Sequence, residues 1–296
     1  MGLGMPYMRY LSRRGYLSKP DLKILDIGSQ CLLGATPEEI CDFVEKHGRA
    51  EDAKKLRQEI ERIAYFSTPR PGERTSYISE LLDLTDFEYT SYDVCPALKT
   101  EIFDLNKQAL PEHYREHFDL AFNFGTTEHI LNQLNCFRVI HEALAAGGIA
   151  FHQLPTAGYV NHGYFCYHLS FFRDLANSNN YEILDHWYTP TGVSELRKDA
   201  VEIRDAVLPD QSHSGNPEPQ YQQIPDYLIN VVMRKRESRP FALPLELATA
   251  HASLSDGLTN NDAPPAADDL TKIPGRALAR ELKKRIIRRI TGLGNR

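Results

Sequence analysis

Three acidic residues close strand-like runs within the first 105 positions: Asp26 after Lys23-Ile24-Leu25, Asp93 after Phe87–Tyr92, and Asp104 after Ile102-Phe103. An ionised carboxylate offers two acceptor oxygens, so one standing at a strand tip can take both hydroxyls of a ribose. Gly28 follows two residues after Asp26. A glycine there lets the backbone pass close to a bound group where any Cβ would collide. A solvated aspartate at a strand end is common, so it is the order and spacing of the three that point to a nucleoside. A second set follows, Asn123-Phe124-Gly125-Thr126-Thr127-Glu128-His129, and then a loop rich in rings with His162, Tyr164 and His168. Imidazole and phenol groups can contact an acceptor and move its proton near neutral pH.

The elements that must position these residues are clearest between Phe118 and Pro155. An apolar run, Leu120-Ala121-Phe122, is followed by apolar residues at three- and four-residue steps (Ile130, Leu134, Phe137, Ile140, Leu144) and then by Ile149–Leu154. Strand, helix, strand in so short a span predicts a right-handed crossover in a parallel sheet. Ligands of such sheets sit beyond the carboxyl ends of the strands, which here are 123–129 and the segment after Leu154. Gly147-Gly148 is expected to stop the helix with a left-handed cap. Thr36-Pro37-Glu38-Glu39 predicts a helix start, and helical pattern runs to about Phe66 with a break near His47-Gly48, as an inserted helical pair. A further helix is expected over 75–84, one over 169–177, and strands over 181–188 and 227–233.

With 296 residues, 42% hydrophobic and 25% charged, the chain can build a sizeable core. Its net charge of −6 gives it no general attraction to nucleic acid. Five cysteines, odd in number and scattered, read as reduced thiols. No secretory pattern opens the chain, and no run approaches the roughly eighteen apolar residues of a spanning helix, so a cytoplasmic protein is expected. Residues 1–19 read as an N-terminal arm, either a docking segment or a lid. The main domain spans 20–244, with a helical insertion at 36–66 and a polar insertion at 190–225. A linker of disordered composition covers 245–275. Residues 276–296 form a basic amphipathic helix of charge +7, against −13 for the rest. That helix suits a weak contact with an anionic membrane surface or a protein partner, or docking on the acidic body.

Taken together, residues 21–235 resemble the class I S-adenosylmethionine-dependent methyltransferases. Lys23–Gly28 is similar to the first motif of that family, whose loop holds the methionine part of the cofactor. Tyr92-Asp93 resembles the ribose-binding acid, and Phe103-Asp104-Leu105 the adenine-side motif. Phe118–Asn123 is similar to the fourth motif, Thr127-Glu128-His129-Ile130 to the E-H pair that opens the next helix, and Ala145–Gly148 to the turn before the fifth strand. The resemblance implies an α/β fold: a three-layer Rossmann-like sheet, mostly parallel, with an antiparallel last strand and a helical insertion. It implies S-adenosylmethionine as cofactor, held by Asp26, Gly28, Ser29, Gln30, Asp93, Asp104, Leu105, Asn123, Phe124 and Gly125. His129, His162, His168 and Tyr164 are the expected catalytic or acceptor contacts, with His152 nearby.

Two departures stand out. The first motif has one glycine in register, Gly28, followed by Ser29-Gln30, and an insertion delays the first core helix. Methyl transfer to a hydroxyl of a small molecule or glycan precursor is the expected activity. A non-catalytic methyltransferase-like module acting through the C-terminal helix is the alternative, as is a nucleic-acid methyltransferase, which the acidic body disfavours. Glu128-His129 with a later histidine is also similar to the metal motif of small-RNA 2′-O-methyltransferases, E-x-x-E-H followed by a distant His. Gly125 stands at its first acid position, so no metal is expected.

Overall fold

A computed structural model describes residues 2–48, 53–160, 162–197 and 221–245. The helix expected at 276–296, nearly all of the expected linker and the middle of the 190–225 segment lie outside these residues. The chain forms β1 (Gly2–Gly4), α1 (Met5–Arg13), β2 (Lys23–Ile27), β3 (Cys31–Leu33), α2 (Pro37–His47), α3 (Ala53–Ser67), α4 (Ile78–Leu82), β4 (Glu88–Asp93), β5 (Thr100–Ile102), β6 (Phe118–Phe124), α5 (Gln133–Ala143), β7 (Leu144–Ala157), α6 (Leu169–Asn179), β8 (Tyr181–Arg197) and β9 (Tyr221–Lys235). Seven strands make one sheet in the order β5-β4-β2-β6-β7-β9-β8. The first five run parallel, and β9 lies antiparallel to both β7 and β8. This is the Rossmann-like layering expected from the sequence.

The central strands read as continuous apolar runs because both faces of the sheet are covered. Ile24, Tyr89, Leu120, Phe122 and Phe151 point into one core with α1 to α4. Leu25, Ile27, Ala121, Ala150 and Leu154 point into the other with α5 and α6. Their alternation fixes the register, since a slip of one residue would exchange the two faces. The N-terminal arm is docked: β1 pairs with β3, α1 buries Met5, Met8 and Leu11, and the Tyr10 ring lies 4.9 Å from that of Trp187.

The inserted helices start as their sequence dictates. Thr36 Oγ1 accepts from Glu39 N at 3.2 Å while Glu39 accepts from Thr36 N at 3.1 Å, a reciprocal capping box ahead of Pro37. The crossover helix α4 begins only at Ile78, whose N–H donates to Gln30 O at 2.9 Å. The whole stretch 31–76 is thus let in between the Gly28 turn and the helix that would otherwise follow it.

Three local readings change. Gly147-Gly148 does not cap α5, which ends at Ala143 and passes straight into β7; the pair sits in a bulge between the partners Phe118–Leu144 and Leu120–Ile149, where Gly147 takes φ +84°. Pro155 does not end its strand, because β7 continues to Ala157 against β9. The polar segment 190–225 begins and ends in strand: residues to 197 pair with 221–227 as a long antiparallel ladder, with register shifts at Ile183/Asp185 and Pro190/Gly192. Polar residues suit a ladder that extends beyond the core.

Two buried histidines link this core to pH. His141 accepts from Tyr181 OH through Nδ1 at 3.1 Å and donates to Arg239 O through Nε2 at 2.8 Å, and burial lowers its pKa to about 4. His152 accepts from Asn123 Nδ2 at 3.1 Å, and burial lowers its pKa to about 3. Both rings are neutral in the fold, whereas in the unfolded chain they take up protons near pH 6.5. Stability is therefore fully present above about pH 6.5 and falls as the pH drops toward 4, by on the order of 3 kcal/mol for His141 alone. Urea unfolding at pH 7.5 and 5.0 should show a lower midpoint at pH 5.0, and His141→Gln should flatten the difference. Equal midpoints for the native protein would show that the rings titrate freely.

Candidate active site

The turn after β2 is held from both sides. Gly28 N donates to Tyr92 O at 2.8 Å, and Ser29 N donates to Asp93 Oδ2 at 2.8 Å. Cys95 N donates to Asp93 Oδ1 at 2.9 Å, so each carboxylate oxygen carries one backbone donor. Each oxygen keeps a further acceptor direction, and Asp93 is half-buried at the strand tip. On the other side Gly28 adopts φ +96°, and a Cβ there would collide with Thr126 Oγ1. Gln30 Nε2 reaches across the same gap to Thr126 Oγ1 at 3.1 Å, leaving Gln30 Oε1 buried without a partner.

Thr126 also opens the next feature. Its carbonyl accepts from His129 N at 3.0 Å, within a tight turn, Thr127–His129. This turn is pinned from beneath: Thr127 Oγ1 accepts from Asn123 Nδ2 at 3.0 Å and from Tyr167 OH at 3.2 Å. The Glu128-His129 pair therefore sits in a single 3₁₀ turn and does not open a helix. The helix waits for Asn132, whose side chain caps it by accepting from Asn135 N at 3.2 Å.

Glu128 is fully buried, neither carboxylate oxygen has a hydrogen-bond partner, and burial pushes its pKa up to about 7. A loop folds onto it: Tyr164 N donates to Glu128 O at 2.8 Å, and Gly163 lies so near that an added Cβ would stand 3.0 Å from Glu128 Cγ. The loop brings His162 beside His129, with ring centroids 5.0 Å apart. Burial and the neighbouring His162 lower the pKa of His129. His129, His162, Gly163 and Tyr164 line an open cleft of about 360 Å³.

The expected site residues divide accordingly. Gly28, Ser29, Gln30 and Asp93 meet at one turn, while His129, His162 and Tyr164 meet at the neighbouring cleft. Asp26 is fully buried beneath the turn, where its Oδ2 accepts from Tyr89 OH at 2.7 Å and burial raises its pKa well above the carboxylate range. Asp104 closes its own turn, accepting from Asn106 N at 2.9 Å and pairing with Lys107 at 3.0 Å. Leu105 and Phe124 are core side chains, and the Phe124 ring packs on Tyr7. Asn123 is buried against Thr127 and His152. Gly125 takes φ +62° and donates to Gln153 O at 2.9 Å. His152 is a core ring, and His168 is exposed at the start of α6, outside the cleft. Sequence reasoning missed Thr126, Gly163 and the burial of Glu128. The signal for the last was the acid of the E-H pair at a strand tip.

The strand order and the clamped glycine turn define a Rossmann-like α/β fold. No family model matches the chain, and no curated protein matches it. Among solved structures it is similar to YcgJ from Bacillus subtilis, at 13% identity over 76% of this chain and 100% of that one, with a TM-score of 0.35. It is also similar to phosphoethanolamine N-methyltransferase 2 of Haemonchus contortus in complex with S-adenosylhomocysteine, at 12% identity over 78% of this chain and 53% of that one, with a TM-score of 0.38. A third is the [4+2]-cyclase SpnF, at 11% identity over 79% of this chain and 81% of that one, with a TM-score of 0.40. All three are distant likenesses.

Gly28→Ala should cost about 1–3 kcal/mol, from the left-handed backbone and the collision with Thr126. Urea unfolding checks this, and adding Thr126→Ala should recover only the collision part. A Gly28→Ala protein as stable as the native one would show that the close approach does not exist.

Proposed function

We propose that the chain is an S-adenosylmethionine-dependent methyltransferase whose acceptor is a hydroxyl on a small molecule or glycan precursor. One observation carries the reading: Thr126 touches the Gly28 turn through its hydroxyl and the His129 turn through its carbonyl. A cofactor place and an acceptor cleft are thereby separated by one residue. The nucleoside half of the cofactor suits the residues present, since Asp93 offers its two remaining acceptor directions to ribose hydroxyls. The methionine half requires Gln30 to leave Thr126, and its unpartnered Oε1 is free to accept from an ammonium group when it does.

When bound, the cofactor supplies a methyl group already activated on a sulfonium, so alignment of the acceptor does much of the catalytic work. This chain's part is to hold. Asp93 and the Gly28–Ser29 backbone fix the sugar, and His129, His162 and Tyr164 contact the acceptor at the mouth of the cleft. The bridge from Gln30 to Thr126 favours a second reading, a methyltransferase-like module that binds a partner without catalysis. No helix among the described residues is long and apolar enough to cross a membrane.

Calorimetry with S-adenosylhomocysteine separates the readings. The native chain should bind it, Asp93→Ala should weaken binding about a hundredfold through two lost hydrogen bonds, and Gln30→Ala should weaken it too by removing the acceptor for the ammonium group. A native chain that binds no S-adenosylhomocysteine would favour the non-catalytic module.

A further inference from the structure

The cleft beyond β6 holds a group the fold leaves unsatisfied. Glu128 has 0% relative exposure, and neither of its carboxylate oxygens meets a hydrogen-bond donor. A carboxylate in that position destabilises the fold unless something neutralises it. Nε2 of His129 and Nε2 of His162 each stand 3.8 Å from Glu128 Oε1, and the donor atoms of the three residues all lie within 4.8 Å of one another. These separations are too long for hydrogen bonds. They are close to what a shared ion requires, since ligand atoms about 2.1 Å from a tetrahedral metal stand roughly 3.4 Å from each other. Side-chain rotations that shift the ligand atoms by up to about 1 Å would close the difference.

We propose that Glu128, His129 and His162 form a binding site for a divalent transition-metal ion. Two imidazoles and one carboxylate suit Zn²⁺, Fe²⁺ or Co²⁺, whereas Mg²⁺ and Ca²⁺ prefer oxygen ligands throughout. Three protein ligands leave at least one coordination position open, and the cleft lined by Gly163 and Tyr164 gives access to it. Two devices pre-arrange the set. The tight turn Thr127–His129 presents Glu128 and His129 together, and Tyr164 N donating to Glu128 O holds the His162 loop over them. Gly163 permits that approach, because a Cβ would press on Glu128. The expectation of a metal-free chain rested on Gly125 occupying the first acid position of a sequence motif; Glu128, His129 and the later His162 stand together as a three-ligand set without that acid. On the methyltransferase reading, and resting on it, the ion would bind the acceptor's hydroxyl oxygen and make its proton easier to lose.

The test is a Co²⁺ titration of the metal-stripped full chain, without cofactor, followed by visible absorption. The native protein should saturate at about one Co²⁺ per chain and surrender it to Zn²⁺. Glu128→Gln and His162→Ala should each weaken binding by more than about tenfold, while His168→Ala, exposed and outside the cleft, leaves it unchanged. Far-UV circular dichroism and urea midpoints verify that the variants fold. Asp93→Ala should keep Co²⁺ binding while losing S-adenosylhomocysteine. If the native chain takes Co²⁺ but not S-adenosylhomocysteine, the metal site stands and the methyltransferase reading falls. Absence of saturable Co²⁺ absorption in the native chain, or equal binding by both ligand variants, would overturn the site.

Discussion

The structure depends on how closely the tips of three neighbouring strands approach one another. At the end of β2 the backbone must leave the sheet between Asp93 on β4 and Thr126 beyond β6. Only a residue without a Cβ, at φ +96°, makes that exit. Asp93 then fixes the outgoing chain by accepting from Ser29 N, and it orders its own following loop by accepting from Cys95 N. A single carboxylate thus sets the spacing between two loops before it meets any ligand. Each of its oxygens keeps one acceptor direction beyond those backbone donors.

The opposite use of acid appears at Asp26 and Glu128. Asp26 is sealed under the turn, its pKa raised by desolvation, and it serves as a polar strut for Tyr89. Glu128 is equally buried, yet it lies against a cleft and two imidazoles. Burial raises the pKa of both; what stands beside each decides whether it is structure or site.

Much of this could be read from the sequence. The β6–α5–β7 unit, the strands that carry Asp26 and Asp93 near their ends, the capping box at Thr36 and the break at His47-Gly48 all follow from local rules of periodicity and capping. What escaped was set by tertiary contact. The Glu128-His129 pair looks like a helix start, but Asn132 is the better cap, and Tyr167 and Asn123 hold the preceding turn from below. Asp26, Asp93 and Asp104 look alike as strand-end acids. Their fates diverge only because Tyr89 comes from a neighbouring strand, Ser29 from a neighbouring turn, and Lys107 from the same turn. Gly147-Gly148 resembles a helix cap because glycine marks any sharp turn of the backbone. His162 carries no local signal that it will stand beside His129, thirty-three positions earlier.

The outer margins of the sheet carry a consequence of their own. A sheet edge exposes unpaired backbone groups that can recruit another molecule's strand. Among the described residues, one margin is β5, three residues long, too short to template much. The other is β8, seventeen residues, which would be hazardous if flat. Two register shifts, at Ile183/Asp185 and Pro190/Gly192, interrupt its ladder, and Pro190 carries no backbone donor. Irregularities that look like flaws in a ladder are the kind of device by which long edge strands avoid edge-to-edge self-association.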